Sequence, residues 1–237
     1  MIILLDLDET LIREREARDK AASEFLRQFS IQLCFSEKDF LAHWHEVQER
    51  HFLRFTRGEI GFQEHRRERL REIFSSDQSE FSDSELDSRF DFYLKRYENN
   101  WALFDDVLPF LRRTKDCRLG IVTNGDSDQQ RAKLKRTGIS DYFEAVVISS
   151  EIGKAKPEPE IFLEACRILS VSPAECLFIG DRIDLDMEGS KAAGMRSIWL
   201  DRTGHAPRNV AFKSVRSLLE IEIEKAEPST PANPSDG

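Results

Sequence analysis

The chain has 237 residues, of which 40% are hydrophobic and 33% are charged, and its formal net charge is −9 at pH 7. This composition is typical of a folded globular protein and unlike that of a disordered chain. The negative charge disfavours binding to nucleic acids, because their phosphate backbone would be repelled. Small molecules are therefore the expected partners.

No apolar run approaches the roughly 18 residues that a membrane-spanning helix needs. The first run, residues 1–5, is stopped by Asp6 and Asp8, so it is too short for a secretory signal. We therefore expect a cytoplasmic protein that does not act at a membrane. The four cysteines have no Cys-x-x-Cys spacing, which predicts neither a zinc site nor a disulfide framework.

The apolar run at residues 2–5 predicts a strand buried on both faces, because its residues do not alternate with polar ones. The long stretch after it lacks strand patterns, and its apolar residues recur at helical spacing. Ser36 and Ser82 each begin a pattern typical of a capped helix start. Twelve of the 17 Phe residues lie in this stretch, enough aromatic surface for a small core. We expect residues 14–104 to form a separate helical cap.

From residue 105 onward, short apolar strands alternate with helical patterns, which predicts a parallel sheet with right-handed crossovers. With the first strand, they form an α/β, Rossmann-like core of five main strands, expected to comprise residues 1–13 and 105–225. The four later strands are predicted at residues 118–123, 145–149, 176–179 and 196–200, and the helices between them at 129–136, 159–169 and 186–193. Residues 226–237, rich in Pro and Ser, have the composition of a disordered tail.

Asp6 and Asp8 follow the first predicted strand. Side chains two residues apart in an extended chain share a face, so both carboxylates can address one point. Two acids at one point need a cation, and Mg²⁺ both prefers oxygen ligands and neutralises a phosphate. Asp6 is then the candidate nucleophile that forms an aspartyl-phosphate, and Asp8 the candidate general acid and base.

Polar residues also follow the later strands. Thr123, Asn124 and Gly125 offer a hydroxyl and unhindered backbone N–H groups that suit phosphate oxygens. Lys156 projects from a loop before a proline, where its ammonium can stabilise the charge of a transferring phosphoryl group. Asp181 follows the strand at 176–179 and brings a third carboxylate. Because the carboxyl ends of parallel strands share one edge of the sheet, these groups are expected to meet there.

Four motifs resemble, in order, those of the haloacid dehalogenase-like hydrolase superfamily: Asp6-Leu-Asp-Glu-Thr10, Thr123-Asn-Gly125, Lys156-Pro157, and Gly180-Asp181 with Asp186. The helical insert resembles the cap of the superfamily's first subfamily. The stretch from Thr123 to Leu134 further resembles members that act on nucleoside monophosphates or on N-acylneuraminate 9-phosphate.

The resemblance implies a Mg²⁺-dependent phosphatase that acts on a small phosphate ester such as a nucleoside monophosphate or a sugar phosphate. It implies Asp6 as nucleophile and Asp8 as acid and base, with Thr123 and Lys156 binding phosphate. The metal-binding residues that it implies are Asp6, Asp8 through its backbone, Asp181, and Asp186 through a metal-bound water. Asp184 follows Asp181 in the same loop and is an alternative to Asp186, although the family's spacing favours Asp186.

Three other functions fit parts of the pattern. A 2-haloacid dehalogenase shares the fold and the nucleophile, but its chemistry usually lacks a second Asp at the position of Asp8. A sugar-phosphate mutase would keep all four motifs and shield the aspartyl-phosphate from water. A phosphorylation-receiver module combines similar residues, but such modules are much shorter and carry the phosphorylated Asp later in the chain.

Overall fold

The computed structural model describes residues 1–75, 80–204 and 211–223, with only the backbone described for Phe55 and Thr56. The predicted tail at 226–237 lies outside these residues. The chain divides into two compact units. One, the core, comprises Met1–Ile12 and the described residues from Leu103 onward, and the other, the cap, comprises Arg13–Ala102.

The core contains a six-stranded sheet in the order β3-β2-β1-β4-β5-β6, in which every pair of neighbours is parallel. The strands are β1 (Ile2–Leu5), β2 (Arg118–Thr123), β3 (Ala145–Ile148), β4 (Cys176–Gly180), β5 (Arg196–Leu200) and β6 (Lys213–Val215). The predicted α/β fold with a Rossmann-like parallel sheet is confirmed. Because β1 lies between β2 and β4, the residues that follow it are at the middle of the sheet edge.

The sixth strand, β6, is absent from the five that the sequence predicts. It is three residues long and pairs with β5 at the edge of the sheet. Lys213 and Ser214 are exposed and only Val215 is buried. Since an edge strand needs little apolar surface, β6 has no apolar run by which it could be recognised.

The cap consists of helices with an aromatic core. Phe25, Phe40, Trp44 and Phe74 are buried there, and the ring centroid of Phe25 lies 5.1 Å from that of Trp44 and 5.9 Å from that of Phe74. Ser82 and Glu85 form the predicted capping box. The helices are α1 (Glu14–Gln28), α2 (Glu37–Thr56), α3 (Phe62–Ile73) and α4 (Asp83–Asn99).

The helices of the core lie against both faces of the sheet, which explains the unbroken apolar run of β1. Ile3 and Leu5 join one hydrophobic cluster, whereas Ile2 and Leu4 join the other. The helices are α5 (Val107–Arg113), α6 (Ser127–Arg136), α7 (Ser149–Ile152), α8 (Pro159–Leu169) and α9 (Glu188–Ala192). A π-helical turn, Ile183–Met187, comes just before α9. In the described part of the chain, no helix combines the length and the apolar character needed to cross a bilayer.

Candidate active site

The candidate site lies at the carboxyl edge of the three central strands. Asp6 follows β1, Thr123 ends β2 and Asp181 follows β4. The backbone N–H of Asp6 donates to the carbonyl of Ile179 at 2.9 Å, so the pairing of β1 with β4 extends to the candidate nucleophile. The parallel sheet therefore brings together residues that lie far apart in the chain, as open α/β sheets do at ligand sites.

Three carboxylates cluster at this edge. Asp6, Asp181 and Asp186 each place one oxygen within 4.8 Å of the others. Burial raises the pKa of Asp6 to about 7 against the attraction of Lys156, and the charge of Asp186 adds to the rise. Burial also raises the pKa of Asp181 to about 8, helped by the charges of Asp6 and Asp186. Acids held this close need a proton or a cation, and an all-oxygen donor set fits a hard cation such as Mg²⁺.

Lys156 supplies a positive charge inside the cluster. Its Nζ donates to Asp6 Oδ1 at 2.5 Å and to Asp186 Oδ1 at 2.6 Å. Burial alone would lower the pKa of Lys156, but the carboxylates of Asp186 and Asp6 together raise it above its ordinary value. Lys156 is thus held as an ammonium beside the candidate nucleophile, where it can attract a phosphoryl oxygen.

The residues predicted to bind phosphate have different contacts: two of them hold loops together, and the third lies at the end of β2. Asn124 uses its side chain to hold the lysine loop: its Nδ2 donates to the carbonyl of Lys156 at 3.1 Å, and its Oδ1 accepts the backbone N–H of Lys156 at 2.8 Å. The backbone N–H of Gly125 donates to Ser149 Oγ at 3.0 Å. Thr123 is buried, and its hydroxyl accepts a hydrogen bond from Gln130 at 2.8 Å. Asn124 and Gly125 therefore brace the loops here, and Thr123 lies at the strand end beside them.

Of the two alternative acids in the loop after β4, Asp186 is the one that joins the cluster. It is fully buried, and its Oδ2 accepts the backbone N–H of Arg182 at 2.9 Å. The side chain of Asp184 is 62% exposed and pairs with the guanidinium of Arg182 at 2.7 Å. The π-helical turn that contains both residues carries only Asp186 inward.

The side chain of Asp8 lies outside the carboxylate cluster, unlike the expectation that it would address the same point as Asp6. Lys133 Nζ binds both of its oxygens, at 2.7 and 2.8 Å, and Gln130 Nε2 donates to Oδ2 at 3.1 Å. The buried ammonium of Lys133 needs a counter-charge, which explains why the carboxylate turns towards it. The metal ligand expected from Asp8 belongs to its backbone, so the position of its side chain does not affect that expectation.

Lys133 and Gln130 were not predicted as site residues. Both lie on α6 and are buried, at 1% exposure each, on the same face as Leu134. The signal was present in the sequence, because residues at positions i, i+3 and i+4 share one helix face. A lysine that shares the face of a core leucine predicts a buried acidic partner, but it does not indicate which acid.

Gly180 leaves room for Asp186, and replacing it with Ala should disturb the cluster. A Cβ at this position would overlap the carboxylate of Asp186. We expect Gly180→Ala to cost about 1–3 kcal/mol of stability through overpacking, and to weaken Mg²⁺ binding at least about tenfold as Asp186 is displaced. Denaturant unfolding and calorimetric titration measure the two effects. Gly61→Ala, whose Cβ would meet nothing within 4 Å and whose φ is −74°, is the control for Mg²⁺ binding, and equal Mg²⁺ binding by both variants would contradict the role of Asp186.

Comparison with known proteins agrees with this geometry. The glyceraldehyde 3-phosphate phosphatase of Methanopyrus kandleri is 39% identical over 145 residues, which cover 56% of this chain and 59% of that protein. The N-acylneuraminate-9-phosphatase of Mus musculus is 37% identical over 124 residues, which cover 50% of each chain. The chain thus spans between half and three fifths of the length of these curated relatives.

Solved structures and a family model complete the comparison. The haloacid dehalogenase-type hydrolase YfnB of Bacillus subtilis has the same fold, with a TM-score of 0.74 at 23% identity over 92% of this chain and 95% of YfnB. The sequence model of the family of haloacid dehalogenase-like hydrolases matches residues 1–194 of this chain. This match includes all four predicted motifs and confirms the resemblance: the chain belongs to the haloacid dehalogenase-like hydrolases.

Proposed function

We propose that this protein is a Mg²⁺-dependent phosphatase that hydrolyses phosphate monoesters of small metabolites through an aspartyl-phosphate on Asp6. The observation that supports this most strongly is the setting of Asp6, which is buried, contacts the ammonium of Lys156 and lies close to the carboxylates of Asp181 and Asp186. A nucleophilic carboxylate can approach an anionic phosphate only where positive charge surrounds both. The relatives named above are phosphatases, which agrees with this chemistry.

The proposed metal site uses the side chains of Asp6 and Asp181 together with the backbone carbonyl of Asp8, and Asp186 would hold a metal-bound water. When bound, Mg²⁺ supplies the positive charge that offsets the charge of the phosphate. Lys156 holds Asp6 in place and faces the same carboxylates. Thr123, at the end of the neighbouring strand, is proposed to contact the phosphoryl oxygens.

The proposed reaction has two steps. In the first, an oxygen of Asp6 attacks phosphorus, and the bond between phosphorus and the ester oxygen breaks with its electron pair on the leaving oxygen. Asp8 gives that oxygen a proton. In the second, water attacks the phosphorus of the aspartyl-phosphate while Asp8 takes a proton from it. The bond to Asp6 then breaks, which releases inorganic phosphate, restores the carboxylate of Asp6 and leaves Asp8 protonated again as the acid.

We infer that the substrate is a phosphorylated metabolite such as a sugar phosphate or a nucleoside monophosphate. The two relatives are named for glyceraldehyde 3-phosphate and for N-acylneuraminate 9-phosphate, which are both small phosphorylated carbohydrates. We propose that residues of the cap select among such esters, because the core residues named above are assigned to binding and transfer of the phosphoryl group.

Release of inorganic phosphate from a panel of sugar phosphates and nucleoside monophosphates tests the proposal. We expect release from at least one ester with Mg²⁺, and none after EDTA treatment until Mg²⁺ is restored. Isomerised sugar phosphate without free phosphate would indicate a mutase. Halide release from 2-haloacids without phosphate release would indicate a dehalogenase, and either outcome would contradict the proposed hydrolysis.

Binding of Mg²⁺ should strengthen as the pH rises. The raised pKa values of Asp6 and Asp181, about 7 and about 8, mean that the metal-free fold holds protons that the unfolded chain releases. The protons bound to Asp6 and Asp181 stabilise the metal-free fold fully below the ordinary Asp pKa. This stabilisation is lost as the pH rises through the pKa values of the folded state, about 7 and about 8. Mg²⁺ binds the ionised acids, so its affinity should be at least about tenfold higher at about pH 8.5 than at about pH 5.5.

Calorimetric titration with MgCl₂ at the two pH values measures this change. Asp6→Asn removes one of the two titrating acids and should reduce the pH dependence of the affinity. Equal affinity at both pH values, or tighter binding in acid, would contradict the protonation that the cluster implies.

A further inference from the structure

We propose that Lys133 is a positioning residue that holds the side chain of Asp8, which in its protonated form gives a proton to the leaving oxygen. The inference rests on the proposed function, in which Asp8 is the acid and base. Lys133 lies outside the four motifs. Its loss should lower kcat/KM most for esters whose leaving oxygen needs a proton.

The contact between the two residues is bidentate. Lys133 Nζ lies 2.7 Å from Asp8 Oδ1 and 2.8 Å from Oδ2, although the residues are 125 positions apart in the chain. Holding both oxygens removes the freedom of the carboxylate to rotate and to swing towards other partners. Restricting a catalytic group to one orientation is a large part of what an enzyme contributes to rate.

The burial of the pair is unequal, and this favours a role in positioning. The side chain of Lys133 is 2% exposed, whereas that of Asp8 is 31% exposed. Asp8 is therefore the partner that can reach an incoming molecule, and Lys133 acts on it from the protein interior. If Lys133 is removed, Asp8 can be hydrated, so the fold should tolerate the change better than it would tolerate loss of Asp8.

Gln130, one helical turn before Lys133, links Asp8 to the end of β2. Its Nε2 lies 3.1 Å from Asp8 Oδ2, 2.8 Å from Thr123 Oγ1 and 3.3 Å from the carbonyl of Asn124. Helix α6 thus sets the position of Asp8 relative to the loop that follows β2. Lys133 and Gln130 together form a rigid support for a carboxylate that lies beside, and not within, the metal cluster.

Leaving-group dependence separates this role from a purely structural one. The p-nitrophenolate anion leaves without a proton, whereas an alkoxide leaving from an alkyl phosphate requires one. Positioned proton donors contribute about 10²–10⁴ to rate. Losing the orientation of Asp8 should therefore slow the cleavage of an alkyl phosphate and spare that of p-nitrophenyl phosphate. The ratio kcat/KM reports the first, bond-breaking step for both esters.

The test compares Lys133→Met with the wild-type protein on glycerol 2-phosphate and p-nitrophenyl phosphate, both with saturating Mg²⁺. We expect kcat/KM for glycerol 2-phosphate to fall about 100-fold, and kcat/KM for p-nitrophenyl phosphate to fall less than about threefold. Lys135→Met, two residues along the same helix and exposed, is the matched control and should change neither value. Lys133→Arg keeps the charge and should recover much of the loss on glycerol 2-phosphate.

An equal loss on the two esters would show that Lys133 merely supports the fold and would overturn the inference, as would an unchanged rate on glycerol 2-phosphate. If Lys133→Met does not fold, Lys133→Gln fills a similar volume with a polar group and should show the same selective loss. If the wild-type protein does not hydrolyse glycerol 2-phosphate, a hydrolysed sugar phosphate of the panel takes its place in the comparison. Hydrolysis of no ester at all would overturn the proposed function itself, and the inference with it.

Discussion

Replacing Asp6 with Asn is expected to lower kcat for phosphate release by about 10⁴-fold or more, as loss of a nucleophile does in other enzymes. The amide has nearly the same volume but cannot form the phosphoryl bond. It also removes one of three clustered acids, and burial together with their mutual repulsion raises the pKa of Asp6 and Asp181. The melting temperature without Mg²⁺ should therefore be unchanged or higher, although activity is lost.

Phosphate release and thermal unfolding of the variant measure the two effects. Asp184→Asn is the matched control, because it makes the same chemical change in an exposed residue that pairs with Arg182 outside the cluster. It should retain wild-type turnover. Substantial turnover by Asp6→Asn, or equal losses in both variants, would contradict the assignment of the nucleophile.

Replacing Lys156 with Met should damage both activity and stability. The ammonium contacts Asp6 and Asp186, and all three side chains are almost completely buried. Removing a buried donor that stabilises a transition state costs about 10²–10³-fold in rate. Leaving buried carboxylates without their cation costs about 3 kcal/mol of folding free energy in the metal-free protein.

Steady-state kinetics and urea unfolding in EDTA check these values. Lys154→Met is the control, because Lys154 lies two residues earlier and pairs with Glu158 at the surface. It should leave both properties unchanged. Mg²⁺ should restore part of the lost stability of Lys156→Met, since it supplies positive charge to the same carboxylates. Wild-type stability of this variant in EDTA would contradict the central electrostatic role of Lys156.

The sequence was sufficient to predict five of the six strands of the sheet and the edge at which the site lies. The apolar run of β1 has no alternation because helices cover both faces of the sheet, and Asp6 directly follows it. Once the strands are parallel, the residues after β1, β2 and β4 must meet at one edge. Their local order along the chain was therefore enough to group Asp6, Thr123 and Asp181.

Side-chain orientation could not be predicted in the same way. Asp6 and Asp8 are two residues apart, yet their carboxylates have different partners, because Lys156 lies beside one and Lys133 beside the other. Neither contact has a local sequence signal, since each joins residues more than a hundred positions apart. The inward direction of Asp186 likewise depends on a π-helical turn that spacing alone does not reveal.

The covalent state of Asp6 during turnover is the most direct test of the proposed chemistry. The protein would be mixed rapidly with Mg²⁺ and a hydrolysed phosphate ester, quenched in acid, digested, and examined by mass spectrometry. We predict a phosphoryl group on Asp6 in the wild-type protein and none in Asp6→Asn. Rapid turnover with no phosphorylated peptide at any quench time, or with the phosphoryl group on another residue, would contradict the account.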